Sequence, residues 1–99
     1  MNTEVVTIVV LAKAKPGKEA DLRRELLGMI EPSRKDAGCI NYDLHESPTD
    51  PASFFLHENW ASQALLDVHL KTPHVQALFA KVPSLVAEEP KITFWRKIA

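Results

Sequence analysis

The stretch Val5-Val6-Thr7-Ile8-Val9-Val10-Leu11-Ala12 most narrows what this chain can fold into. Apolar, mostly β-branched side chains occupy both parities, whereas a strand with one wet face would alternate with polar residues. Alternation returns only at Ala12-Lys13-Ala14-Lys15. Val5 to Ala14 therefore reads as a strand buried on both faces for much of its length. It is too short to span a bilayer, and it lacks the basic flank and cleavage site of a secretory signal. A sheet built on such a strand needs cover on each face. The 99 residues make one domain, 1–99, with a single modest core.

The rest of the chain supplies three more strands and their helices. Pro16-Gly17 turns the chain. Leu22, Leu26, Met29 and Ile30 then recur at helical spacing, with Glu19 and Asp21 in the first turn, where the helix dipole favours acids. Pro32 is expected to kink or restart this helix, and Gly38 to supply a left-handed stop. Cys39 to Glu46 reads as the second strand, closed by the turn chemistry of Ser47-Pro48-Thr49-Asp50-Pro51. Phe54 to Trp60 is the third, paired to the second as a hairpin. Ser62 caps a short helix through about Lys71, and Thr72-Pro73 opens another, with proline at its first position. That helix carries Val75, Leu78, Phe79 and Val82 on one face and is expected to stop at Pro83. Ile92 to Ile98 follows Pro90 as the last strand. The order βαββαβ predicts an α+β, ferredoxin-like sheet with helices on one face. Apolar residues of both parities on strands one, two and four leave the other face in need of a partner, and a second copy of the chain is the expected one.

Several function classes are excluded. Twelve basic and thirteen acidic residues give a net charge of -1, which offers no electrostatic footprint for nucleic acid or an anionic membrane. Cys39 is the only cysteine, so neither an intrachain disulfide nor a cysteine-rich zinc site is available. Three glycines make no phosphate-binding loop or nucleotide fingerprint, and no Ser/His/Asp triad is recognisable. A cytoplasmic protein is expected.

The chemistry concentrates between Glu58 and His74. Glu58 and Trp60 share parity with Phe54 and Leu56, while Phe55, His57 and Asn59 point the other way. A carboxylate among large apolar neighbours has its pKa raised unless a cation pairs with it, so Glu58 is either a general base or hydroxyl acceptor, or a structural tie. Trp60 serves as a pocket wall, a role compatible with core filling. His69 lies on the apolar stripe of its helix, where most histidines are satisfied core residues. His74 occupies the second position of the following helix, where the positive dipole end disfavours imidazolium and leaves a neutral base. His69 and His74 beside Glu58 match no standard ligand spacing, so no metal is expected. Tyr42 projects from the sheet with a hydroxyl that needs a partner when buried. Arg96, on the last strand, offers a positive charge.

Four motifs resemble the antibiotic biosynthesis monooxygenase (ABM) family, quinol-monooxygenase-like members in particular. They are A-x-x-K-P-G-K (Ala12 to Lys18), G-C-x-x-Y (Gly38, Cys39, Tyr42), F-x-x-x-E-x-W (Phe54, Glu58, Trp60) and H-x-x-T-P-H (His69, Thr72, Pro73, His74). The resemblance implies a homodimer in which two sheets pack as a dimeric α+β barrel. It also implies oxygenation of a small quinol or phenolic, aromatic substrate by O2 without metal, flavin or haem. On that pattern His74 or His69 is the base, assisted by Glu58, with Trp60, Tyr42, Asn59 and Arg96 binding substrate. Haem-degrading relatives use an asparagine on the first strand and a late histidine. This chain has no asparagine between Val5 and Lys15, and Phe79-Ala80 stands where the histidine would be. Isomerases of small phosphorylated carbonyl compounds share the E-x-aromatic and T-P-H elements, and a non-catalytic small-molecule-binding dimer is the alternative from outside enzymes.

Overall fold

The computed structural model describes residues 4–99, and its backbone follows the expected order with each helical segment divided in two. The elements are β1 (Val6–Lys13), α1 (Glu19–Leu27), α2 (Ile30–Lys35), β2 (Cys39–Glu46), β3 (Ser53–Trp60), α3 (Gln63–Leu70), α4 (Pro73–Leu85) and β4 (Lys91–Trp95). The four strands form one antiparallel sheet in the order β2-β3-β1-β4, the ferredoxin-like arrangement. The doubly apolar first strand is thus central, but within the single chain it is not buried on both faces: of β1 only Ile8 is buried, and Leu11 is exposed.

The helices lie on one side of the sheet. Along β3, Phe54, Leu56, Glu58 and Trp60 are buried and the residues between them only half-buried, the period of two expected where one face is covered. Leu22 and Leu26 of α1, Met29, Leu66 of α3 and Val75 of α4 close the core over them. On the opposite face no element of the described chain covers Thr7, Val9, Leu11, Phe55, His57 or Asn59. That face is divided in character. Val9, Leu11, Phe55 and Trp95 are apolar, whereas Thr7, Asn59, Asn41 and Asp43 form a chain of hydrogen bonds 2.6–2.9 Å long.

Three local expectations shift. The first helix breaks at Gly28-Met29 rather than at Pro32, which sits in the first turn of α2, where a missing N–H forfeits no helical bond. Pro83 does not end α4. The helix continues to Leu85 because Leu85 and Val86 are buried and tied down by Lys15 N–H donating to Leu85 O (2.9 Å) and Ala87 N–H to Lys13 O (2.8 Å). The last strand stops at Trp95 instead of Ile98.

The Ser62 cap and the proline start of α4 stand where they were expected, although the Thr72 side chain makes no capping bond. Ser62 accepts the Leu65 N–H at 3.2 Å, and Pro73 opens α4 behind Thr72. Gly38 takes φ +86°, and a Cβ there would come within 2.6 Å of the Leu65 side chain. Only glycine allows both the left-handed turn and this approach, which sets the segment after α2 against α3.

Candidate active site

Glu58 and Trp60 reach the covered face because they share the buried parity of β3. Tyr42 on β2 and Ile8 on β1 are the cross-strand partners of Glu58. Trp60 is fully buried, and its indole N–H donates to Glu58 Oε1 at 2.9 Å. Burial without a cationic partner pushes the Glu58 carboxyl up to about 7, with the indole N–H pulling weakly the other way. Near neutrality this side chain is therefore partly protonated. Burial and the nearby Glu58 charge likewise raise the Tyr42 hydroxyl, so it stays a neutral phenol.

His69, in the last turn of α3, lies on the Trp60 indole with ring centroids 4.2 Å apart and planes inclined by 30°. Tyr42 meets the imidazole edge-on at 6.0 Å. Its Nδ1 lies 2.7 Å from Asp36 Oδ2, and His74 Nε2 lies 2.8 Å from the same oxygen. One carboxylate oxygen thus accepts from two rings, which places protons on Nδ1 of His69 and Nε2 of His74. The Thr72 hydroxyl donates to His69 O at 2.7 Å, and so meets His74 Nε2 at 3.2 Å as an acceptor. Burial lowers the His69 pKa while Asp36 pulls it upward. A neutral ring held by Nδ1 leaves Nε2 as a free acceptor.

A cavity of about 240 Å³ lies between the sheet and the helices. Its walls are apolar, from Ile8 and Val10 below to Leu22, Leu26 and Leu78 above. Glu58, Tyr42 and His69 are the polar residues lining it, with no lysine or arginine. Phe79, Ile92 and Phe94 belong to the lining yet are substantially exposed, so they form the rim.

The structure thus gathers four of the sequence-nominated residues. Glu58, His69 and Tyr42 face the cavity, and Trp60 stands behind them in contact with Glu58 and His69. His74 sits one layer out and touches His69 through Asp36. Asn59 lies on the opposite face, bonded to Thr7 and Asn41, and Arg96 lies beyond β4 with a weak 3.8 Å pair to Glu4. Neither lines the cavity. Asp36 is the residue the sequence did not offer. It is the C-cap of α2, far from the motif string, and only the tertiary fold brings it to the two histidines. The ligand atoms of Asp36, His69 and His74 all lie within 4.8 Å of one another, so among the described residues Asp36, rather than Glu58, is the carboxylate that the two histidines share.

The Antibiotic biosynthesis monooxygenase family model matches residues 5–81. The chain belongs to that family. Among solved structures, PA3566 from Pseudomonas aeruginosa superposes with a TM-score of 0.92 at 32% identity, over 97% of this chain and 96% of that one. Rv0793 from Mycobacterium tuberculosis superposes with the same TM-score of 0.92, at 30% identity over 97% of each chain; in sequence the protein, named "Putative monooxygenase Rv0793", is 33% identical over 92% of this chain and 89% of its own length. The Synechocystis protein sll1783 is 36% identical over 85% of this chain, which spans 57% of that relative's length. The family thus carries the ferredoxin-like fold and a monooxygenase-type name. No helix among the described residues of this ABM domain is long and apolar enough to cross a membrane.

Proposed function

We propose that this ABM domain oxidises a small quinol or related phenol with O2, with no resident cofactor, using His69 as the base. One observation carries the reading. A neutral imidazole, fixed through Nδ1 to Asp36, lines an otherwise apolar cavity together with a carboxyl group whose pKa stands near 7. The cavity's 240 Å³ falls below the range of about 300–1,000 Å³ for drug-sized ligands, which suits one or two fused rings. His69 Nε2 takes the phenolic proton. The phenolate gives one electron to O2, the aryloxyl radical and superoxide combine at a ring carbon to form a C–O bond, and the His69 imidazolium returns its proton to the peroxide. Loss of water from the resulting peroxide leaves a quinone, so one oxygen atom ends in product and the other in water. Glu58 in its acid form donates to the developing oxygen charge, and Tyr42 provides a second neutral donor. The apolar walls keep water from the radical pair.

The phosphorylated-carbonyl isomerase fits less well, because a phosphate in this cavity would meet no lysine or arginine. A second copy covering the open sheet face completes the proposal, with an obligate-type interface of about 2,000 Å² or more. Sedimentation as a monomer at micromolar concentration would remove that part. The chemical part is tested by oxygen uptake with a panel of one- and two-ring quinols. Turnover by wild type and a loss of about 10²-fold in His69→Ala is the expected result, the scale of one acid–base group. Equal rates would eliminate histidine base catalysis, and turnover of a carbonyl substrate under nitrogen would favour the isomerase.

A further inference from the structure

The Asp36, His69 and His74 cluster does more than the proposed oxygenation requires of it. Its three donor atoms come from three segments, the C-cap of α2, the last turn of α3 and the first turn of α4. Asp36 and His74 keep 19% and 25% of their side-chain exposure, against 4% for His69. Neither lines the cavity. The cluster is therefore reached from outside the molecule, at the Nδ1 edge of a ring that also lines the cavity.

We propose that Asp36, His69 and His74 bind a divalent transition-metal ion of borderline softness, zinc being the type case, at an outer site that shares His69 with the cavity. Two imidazoles and one carboxylate suit zinc, cobalt or nickel, whereas magnesium and calcium prefer all-oxygen sets. Bonds of about 2.0–2.2 Å in a tetrahedral site place ligand atoms roughly 3.4 Å apart. The carboxylate oxygen stands 2.7 and 2.8 Å from the two nitrogens, and no pair in the set exceeds 4.8 Å. Rotations of two partly exposed side chains supply the adjustment, and water completes the coordination.

The ion has a consequence for the cavity that rests on the proposed role of His69, while binding itself does not. In the metal-free form the proton on Nδ1 points at Asp36 and Nε2 offers a lone pair. A metal on Nδ1 takes that position, and the ring's proton moves to Nε2. The imidazole then presents the cavity with a donor in place of an acceptor. Ion and base are mutually exclusive, so the site is inhibitory.

The experiment titrates chelator-stripped protein with Co2+, read by visible absorption, and with Zn2+, read by calorimetry. The expected result is one equivalent bound by wild type, weakened tenfold or more in His74→Gln and in Asp36→Asn. Binding should be unchanged in the open-face double variant His45→Gln/His57→Gln. Far-UV circular dichroism checks that each variant is folded, and the two single substitutions at partly exposed side chains back each other. No binding to wild type at tenfold excess, binding that survives both substitutions, or binding lost from the open-face variant would each overturn the proposal. With an active quinol, Zn2+ should reduce oxygen uptake in proportion to occupancy. Binding without quinol turnover under any condition would leave the ion site standing and defeat the oxygenation instead.

Discussion

The two faces of one sheet carry the same residue types to opposite ends. On the covered face, Glu58 and His69 are buried, share Trp60 as a neighbour and have displaced pKa values. On the open face, half-buried His57 and exposed His45 flank Phe55, with ring centroids 6.5 and 5.2 Å from its ring. Asp43 there pairs with Arg34 at 3.2 Å in solvent. Residues 57 and 58 are adjacent in sequence, yet only Glu58 is buried and has its carboxyl pushed up by the fold. What turns an imidazole or carboxylate into a reagent here is desolvation plus a fixed partner.

The largest expected effect tests that contrast through packing. Trp60 is fully buried against His69 and Glu58. Trp60→Ala should cost about 3–5 kcal/mol of folding free energy, the range for a deleted core aromatic. Phe55→Ala, across the same strand, should cost far less in the monomer and act instead on association. Chemical denaturation of both variants at two protein concentrations decides it. Equal losses independent of concentration would mean that the open face is core already.

The second effect is a pH dependence. The Glu58 carboxyl ionises at about 7 when folded and at 4.5 when unfolded. Between those values the folded state binds the extra proton at Glu58, so this group's contribution to stability is full below 4.5 and is lost as pH rises through 7. Two to three pKa units correspond to about 3 kcal/mol. Glu58→Gln should flatten this fall, whereas Asp43→Asn on the open face should leave it in place. Urea midpoints at pH 5 and pH 8 for the three proteins measure it.

How much of this was legible depends on the range of the interaction. The parity of β3 placed Glu58 with Trp60 and set Asn59 on the other face, because a period of two is local. The Ser62 cap and the Thr72-Pro73 start are written in adjacent residues. The end of α4 was not, since the burial of Leu85 and Val86 against β1 carries the helix past Pro83. Asp36 was least legible of all. A small acid after a helix is ordinary loop chemistry, and its partners lie 33 and 38 residues away. His69 read as a core histidine from its helix and is one, at 4% exposure. Its free Nε2 appears only once Asp36 is known to hold Nδ1.

Catalysis sharpens the comparison further. His69→Ala should lower quinol turnover by about 10²-fold, or roughly 2.7 kcal/mol of transition-state free energy. His57→Ala should change it by less than about twofold, since no covered-face group touches it. Steady-state oxygen uptake for both variants, normalised to folded protein, separates the two faces. A comparable loss in both would mean that the open face is part of the reacting centre.

The smallest effect concerns the polar half of the open face. Asn59 accepts from Thr7 at 2.6 Å and donates to Asn41 at 2.7 Å, and all three residues are half-buried. In the monomer, replacing Asn59 with alanine leaves those two partners free to turn to water, so the loss there is that of a solvent-replaceable hydrogen-bond pair, about 1 kcal/mol. The side chain points away from Glu58 and the cavity, so turnover per folded molecule should stay at the wild-type level. Thermal denaturation and oxygen uptake on the same preparation supply both numbers. A turnover loss approaching that of His69→Ala would place Asn59 in contact with substrate. A sheet whose buried parity is fixed along all of β3 permits this only by way of a second copy's cavity.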